Sequence, residues 1–275
     1  MSATVSQSSY ERSLVGEFRK SIWDKFRQGV KEYELIQDGD RIAVCISGGK
    51  DSMILAQCMM RYQRFSKTKF ECVYLSMDPG YSAANREKII KNCEALGLAP
   101  EIHDTKIFSS LEKEKNPCFL CARLRRGFLY KTSQELGCNK IALGHHFDDV
   151  IETIVMGMLY GSQVQTMMPK LHSENYGKTE VIRPLYLVRE QSIIDWAAAN
   201  GLSFIDCACR VSDAKAGGSS KRAEIKTLLA DIRKRDPAVD MNIFRSVENV
   251  NLRTLISYHD GDEYHSFLDD YDRKG

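Results

Sequence analysis

"AVCISGGKDSM", residues 43–53, runs an apolar stretch straight into Ser-Gly-Gly-Lys-Asp-Ser and turns apolar again at Met53. The apolar residues read as a buried strand, and the residues after the glycines as the first turn of a helix. Neither of two familiar phosphate-binding patterns fits. A dinucleotide fingerprint needs G-x-G-x-x-G and the Walker loop needs G-x-x-x-x-G-K-[ST], whereas here Gly48 and Gly49 are adjacent and Asp51 follows Lys50. The order of strand, glycine turn and helix start is the same, however, and it has a physical use. Backbone N–H groups at a helix N-terminus, backed by the positive end of the helix dipole, attract an anion. The glycines let a phosphate approach the backbone, and Lys50 adds a positive charge. Asp51 does not favour a bare phosphate, so it implies a bridging cation, most simply magnesium. An ordinary strand-to-helix turn is the plainer alternative.

Outward from this stretch, strands and helices alternate. Leu14, Phe18, Ile22, Phe26 and Val30, at steps of four, predict an amphipathic helix over residues 10–31. Strands are expected at 41–47, 69–78, 100–105, 140–144 and 180–188, with helices between and after them, the last over 189–202. This alternation predicts an α/β fold, a parallel sheet with helices on both faces. The chain after residue 205 shows no strand signal and reads as loop plus helix. The expected organisation is an N-terminal helical segment (1–36), an α/β domain (37–205), a cysteine-containing basic loop with C-terminal helices (206–258) and a loosely packed acidic tail (259–275).

Parallel α/β sheets bind ligands at the carboxyl ends of their strands. Ser47–Ser52 stands at one such end and Gly144–Asp149, in "GHHFDDVIET", at another. If the two strands are neighbours, their loops face one crevice. Asp148 and Asp149 suit the first turn of a helix as caps; with Asp51 they also suit magnesium on a triphosphate. His145 is placed to meet a phosphate or ribose. Adjacent side chains seldom point at one ion, which argues against His145 and His146 as joint metal ligands.

The 275 residues are 43% hydrophobic and 28% charged, a soluble globular balance without a membrane-length apolar run. The polar start "MSATVSQSSYERS" lacks a signal-peptide core, so a cytoplasmic location is expected and no membrane partner. In a reducing compartment the nine cysteines are not expected as disulfides. Cys45, Cys58, Cys72, Cys93 and Cys138 are isolated and read as small buried hydrophobes. Cys118 with Cys121, and Cys207 with Cys209, are close pairs of the kind that hold a metal or cluster or form a redox pair. Net charge is +2, but residues from Asp260 onward carry six acids against two bases, leaving a basic body. Arg123, Arg125, Arg126 and Lys131 follow the first cysteine pair, and residues 210–235 are rich in Lys and Arg. Nucleic acid fits such a body, as does a solvated basic face.

"SGGKDS" after an apolar strand resembles the signature of the PP-loop ATP pyrophosphatases, with the adenine nucleotide alpha hydrolase-like fold. "GDRIAVCISGGKDS", "PCFLCARLRRGFLY", "ALGHHFDDVIET", "MMPKL", "VIRPLYLVRE" and "KTLLADIRKRDP" resemble the tRNA 2-thiocytidine synthetase family (TtcA) in particular. The resemblance implies an ATP-dependent tRNA sulfurtransferase that adenylates the C2 oxygen of an anticodon-loop cytidine, position 32, and replaces it with sulfur. It implies ATP and Mg2+ held by Ser47, Gly48, Gly49, Lys50, Asp51, Ser52, His145, Asp148 and Asp149. It also implies a [4Fe–4S] cluster on Cys118, Cys121 and Cys207, with one iron open to sulfur. Catalysis would rest on Asp51 and the three cysteines. The implied partners are tRNA, a sulfur donor such as a cysteine desulfurase, and a second copy of the chain in a homodimer. This chain has C-x-C in its second cysteine pair, so Cys209 competes with Cys207 as third ligand. The alternative is a PP-loop adenylating enzyme acting on another tRNA base or a small molecule, its cysteines holding structural zinc.

Overall fold

The computed structural model describes residues 3–111, 117–173, 177, 179–205, 221–269 and 271. The chain forms two compact units, Met1–Val150 with Met167–Ser220, and Ile151–Thr166 with Lys221–Gly275.

The first unit is built on a six-stranded sheet. Its strands are β1 (Arg41–Ile46), β2 (Glu71–Asp78), β3 (Glu101–Asp104), β4 (Lys140–Ala142), β5 (Lys170–His172) and β6 (Glu180–Ile182), in the order β3-β2-β1-β4-β6-β5. All neighbouring pairs are parallel except β5 with β6. β1 shows why helices cover both faces. Ile42, Val44 and Ile46 join one buried cluster, while Ala43 and Cys45 join another across the sheet, as strand alternation requires. The first cluster packs against α3 (Lys50–Phe65), α4 (Ala83–Ala95) and α8 (Glu190–Ala199) through Met53, Ile54, Ile89 and Trp196. The opposite cluster includes Tyr130 of α6 (Pro117–Glu135). A short α5 (Ile107–Ser110) precedes α6.

The N-terminal helix is not continuous. α1 (Ala3–Val15) and α2 (Asp24–Glu32) are separated by a π-helical turn, Arg19–Trp23. Leu14, Phe18, Ile22, Phe26 and Val30 are all buried nevertheless. A step of four overshoots the 3.6-residue α period, so an unbroken α-helix would rotate that stripe away from the core. The wider π turn brings it back.

Two strands were less legible. Of the strand expected over 180–188 only Glu180–Ile182 pairs, and Pro184 and the turn after it end the ladder. β5 carried no recognisable strand pattern, being an edge strand of three residues with two of them exposed.

The sheet's amino end is fixed by a buried ion cluster. Lys140 Nζ lies 2.9 Å from Asp40 and 3.0 Å from Glu180, and donates to the Leu35 carbonyl at 3.0 Å. Asn139 donates to the same Asp40 carboxylate. Burial of this charge is tolerable because each partner is charged or hydrogen-bonded.

In the second unit, α7 (Phe147–Gly161) contributes its residues from Ile151 onward, with α9 (Lys221–Arg233) and α10 (Val239–Ser246). Arg222 Nε donates to buried Glu152 at 2.9 Å, Tyr160 Oη to Glu224 at 2.8 Å, and Arg233 Nε to Asp240 at 2.8 Å. The C-terminal segment is helical as expected, with one addition: β7 (Ser257–Asp260) and β8 (Glu263–Ser266) form a two-stranded antiparallel hairpin. Its acidic composition hid it, although Asp260-Gly261-Asp262 is a plausible turn, with Gly261 at φ +60°. Among the described residues, no helix is long and apolar enough to cross a membrane.

Candidate active site

The 47–49 loop leaves β1 and enters α3 over three residues. Gly48 has φ +85°, and a Cβ there would meet Ile89 at 2.6 Å and Ile205 at 2.9 Å, so both backbone conformation and space demand glycine. Gly49 is the N-cap of α3, with no side chain capping that helix. The amides of the first turn therefore lack a protein oxygen of the usual capping kind. Ser52 ties the loop together: its hydroxyl donates to the Gly49 carbonyl at 2.8 Å and accepts from the Ser47 amide at 3.1 Å. Tyr81 Oη donates to the Ser47 carbonyl from the far side, and Tyr81 is itself placed by its amide's bond to buried Asp78 at the end of β2.

The loop after β4 faces the same crevice, because β4 pairs directly with β1. The approach is close. A Cβ on Gly144 would stand 3.0 Å from the backbone of Asp51, so this glycine permits the two loops to touch. His146 precedes α7 and is buried. Its amide donates to Asp149 Oδ2 at 3.1 Å, and the Asp149 amide donates back to His146 Nδ1 at 3.3 Å, a reciprocal cap of the helix start. Asp148 accepts from the Glu190 amide at 2.8 Å and so fixes the start of α8.

That fixture brings Glu190 into the site. Lys50 Nζ lies 3.0 Å from Glu190 and 3.2 Å from Asp51. His146 Nε2 is 3.8 Å from Asp51 Oδ1 and 3.9 Å from Glu190, and its Nδ1 is 3.4 Å from Asp149. Burial alone would lower the Lys50 pKa, but Asp51 and Glu190 outweigh it and hold the amine protonated above its ordinary range. Burial raises the Asp51 carboxyl above its ordinary value, against the pull of His146 and Lys50. Its Oδ1 is buried and makes no hydrogen bond.

Of the residues expected from sequence, Asp51 and Asp149 stand beside His146, Lys50 pairs with Asp51, Ser47 and Ser52 tie the glycine loop, and Asp148 holds the start of α8. His145 diverges from His146 and lines a cavity bordered by α6. Sequence reading missed Glu190 and the central position of His146. Glu190 stands 139 residues beyond Asp51, and only the sheet order brings it near. Cys118 and Cys121 stand one turn apart at the start of α6. Cys121 is buried with Met77, Ile107 and Leu111; the Cys118 side chain, Cys207 and Cys209 lie outside what is described. Among the described residues, no three His, Cys, Asp or Glu side chains converge as a metal site by themselves.

Residues 19–213 match the PP-loop domain family. The tRNA-cytidine(32) 2-sulfurtransferase of Geobacter sulfurreducens is 36% identical over 241 residues, which cover 86% of this chain and 92% of the relative. The protein of the same name from Vibrio cholerae is 37% identical over 238 residues, covering 85% of this chain and 75% of the relative. Among solved structures, the U34-tRNA thiolase NcsA from Methanococcus maripaludis, with its [4Fe–4S] cluster, has a TM-score of 0.64 at 22% identity and covers 83% of this chain and 79% of its own. That last likeness is one of fold. The glycine-turned loop, its lysine and aspartate, and the length of the two sequence matches agree, and the chain belongs to the PP-loop family and, within it, to the family of the tRNA-cytidine(32) 2-sulfurtransferases.

Proposed function

We propose that this enzyme, an ATP-dependent sulfurtransferase of the PP-loop type, converts cytidine 32 of tRNA to 2-thiocytidine. The observation that carries the nucleotide half is the polar group at the start of α3: one lysine faced by Asp51 and Glu190, in front of a loop whose backbone only glycine allows. With Asp149 close by, carboxylates outnumber the lysine, so a polyphosphate enters this site only with a divalent cation. The buried, unbonded Asp51 Oδ1 is the oxygen that would hold Mg2+, whose charge would offset that of the polyphosphate. Asp148 and Asp149 support that site by fixing Glu190 and His146.

In the reaction, the C2 oxygen of cytidine attacks the α-phosphorus of ATP, and the bond to the β-phosphate oxygen breaks. Lys50 and the loop amides stabilise the charge gathering on the departing pyrophosphate. A hydrosulfide-level sulfur then adds at C2, loses its proton to water, and expels AMP, which carries away the original oxygen. Adenylation is needed because the bare oxygen is a poor leaving group. Three thiolates, from Cys118, Cys121 and Cys207, are a donor set suited to a [4Fe–4S] cluster, and Cys121 lies in an apolar shell that would shield it. Such a cluster supplies an iron site for the incoming sulfur. A donor of the cysteine desulfurase kind, a second copy of the chain and a cytoplasmic setting complete the proposal.

Iron, acid-labile sulfide and zinc, measured per chain in protein purified without air, test this reading. About four irons and four sulfides are expected of a cubane cluster. Zinc with no iron would overturn the sulfur-transfer half and leave an adenylating enzyme.

A further inference from the structure

Beside the candidate active site lies a cavity of about 470 Å³, within the usual size range of small-ligand pockets. His145 borders it from the end of β4, and Ala122, Arg125, Arg126 and Leu129 border it from the helix whose first turn carries Cys118 and Cys121. It therefore adjoins both the nucleotide loops and the cysteine helix. A molecule that must be adenylated and then meet sulfur has to reach both.

Three arginines line this one space: Arg125, Arg126 and, from the end of β6, Arg183. Among the described residues none of them forms an ion pair. Arg183 reaches the Met168 carbonyl through Nη1, but its Nε is buried without a hydrogen-bond partner. Burial pulls the Arg183 pKa below its ordinary value and the charge of Arg126 pulls it further, while Tyr186, Tyr130 and Asp149 partly offset this. Arg125 and Arg183 are half-buried without a paired carboxylate, a deficit that a bound anion removes, and Arg126 adds charge at the open side. Arginine's planar fork suits a phosphate. The other walls are apolar, with Leu129, Ile141, Leu143 and Val181.

We propose that this cavity receives the nucleotide being thiolated, with Arg125, Arg126 and Arg183 holding its flanking phosphodiester and the apolar wall taking its unstacked base. The inference rests on the sulfurtransferase reading for the identity of the base. The anion site is testable apart from it. RNA readers commonly splay a loop base out of its stack and fix the backbone by charge-assisted bonds.

The test measures binding of an anticodon stem-loop RNA at about 50 and 200 mM salt, a range over which phosphate contacts show clearly. Arg126→Gln and Arg183→Gln are each expected to weaken RNA binding about tenfold or more. Each should also lower the slope of log affinity against log salt by about 0.7. Arg183→Lys should restore the slope but not the full affinity, since the charge stays and the fork is lost. Arg27→Gln, on the exposed side of α2, should change neither quantity. ATP affinity, measured separately, should hold in all variants. Because Arg126 is exposed, its substitution carries little folding risk and decides the matter if Arg183→Gln fails to fold. Unchanged RNA affinity and slope in Arg126→Gln would overturn the proposal. Loss of ATP affinity alone would overturn it too, assigning the cavity to the polyphosphate. The unaltered protein, assayed in parallel for 2-thiocytidine, tests the sulfurtransferase reading separately: it can fail to thiolate while the arginine variants still lose RNA.

Discussion

Replacing each of the two adjacent glycines by alanine separates a folding demand from a binding one. At Gly48, alanine meets two penalties. A left-handed backbone costs an L-residue about 1–2 kcal/mol. The new methyl would also stand 2.6 Å from Ile89 and 2.9 Å from Ile205, overpacking of a kind that costs about 1–3 kcal/mol. Together these come to about 2–5 kcal/mol. At about 2–4 °C per kcal/mol for a chain of this size, the melting temperature should fall by roughly 4–20 °C. Gly49 differs. Its φ of −81° and ψ of 160° suit any residue, and a Cβ would find its nearest neighbour at an ordinary 3.7 Å. Gly49→Ala should therefore cost about 1 kcal/mol or less, the difference between glycine and alanine at an N-cap. It would, however, put a methyl where the phosphate must approach, and ATP should bind at least about tenfold more weakly, the loss of one amide-to-anion bond. Thermal melting and ATP titration of both variants are the assays. Equal destabilisation by the two, or Gly49→Ala binding ATP as the unaltered protein does, would refute the reading of this loop as a phosphate cradle.

Asp51→Asn should raise the melting temperature by a few degrees, because burial makes the charged carboxylate costly, and should abolish ATP-dependent turnover while leaving visible cluster absorption intact. Cys121→Ala should remove that absorption and spare ATP binding; loss of both properties in either variant would contradict the assignment. Lys140→Met, which strands Asp40 and Glu180 at the sheet's amino end, should cost about 3–5 kcal/mol in urea unfolding, and a loss below about 1 kcal/mol would show the cluster to be dispensable. Burial, with Cys138 close to both, pushes the Cys45 and Cys72 thiols up to about 12 from 9.0. Between those values the unfolded chain has lost protons that the folded chain keeps, so stability is complete below pH 9 and falls as pH rises toward 12. Urea midpoints measured from pH 8 upward should decline, and Cys45→Ala should flatten that decline.

The fold was legible because its signals are local. Apolar runs ending in Gly48 and Gly144 mark strand ends, and the alternation with amphipathic helices implies parallel strands. That β1 pairs with β4 could not be read from local pattern, and this pairing puts Asp51 against the 144–149 loop. What escaped the sequence depends on contacts between distant segments. Glu190 looks like any acid in a first helical turn until the Asp148 carboxylate fixes that turn beside Lys50. His145 and His146 cannot be told apart by spacing, and only the entry into α7 decides which of them turns toward Asp51. The π turn and the C-terminal hairpin were missed for opposite reasons: a strong stripe concealed a break, and an acidic composition concealed pairing.

The sulfurtransferase assignment stands or falls on the tRNA itself. Protein reconstituted with iron and sulfide without air would be incubated with unmodified tRNA, a sulfide source and Mg2+, with and without ATP, and the tRNA digested for nucleoside mass spectrometry. Thiolation of cytidine 32 by this enzyme predicts 2-thiocytidine in the ATP sample alone, mapping to position 32, with AMP and pyrophosphate released. Iron-loaded protein that consumes ATP yet leaves every cytidine unthiolated would contradict it.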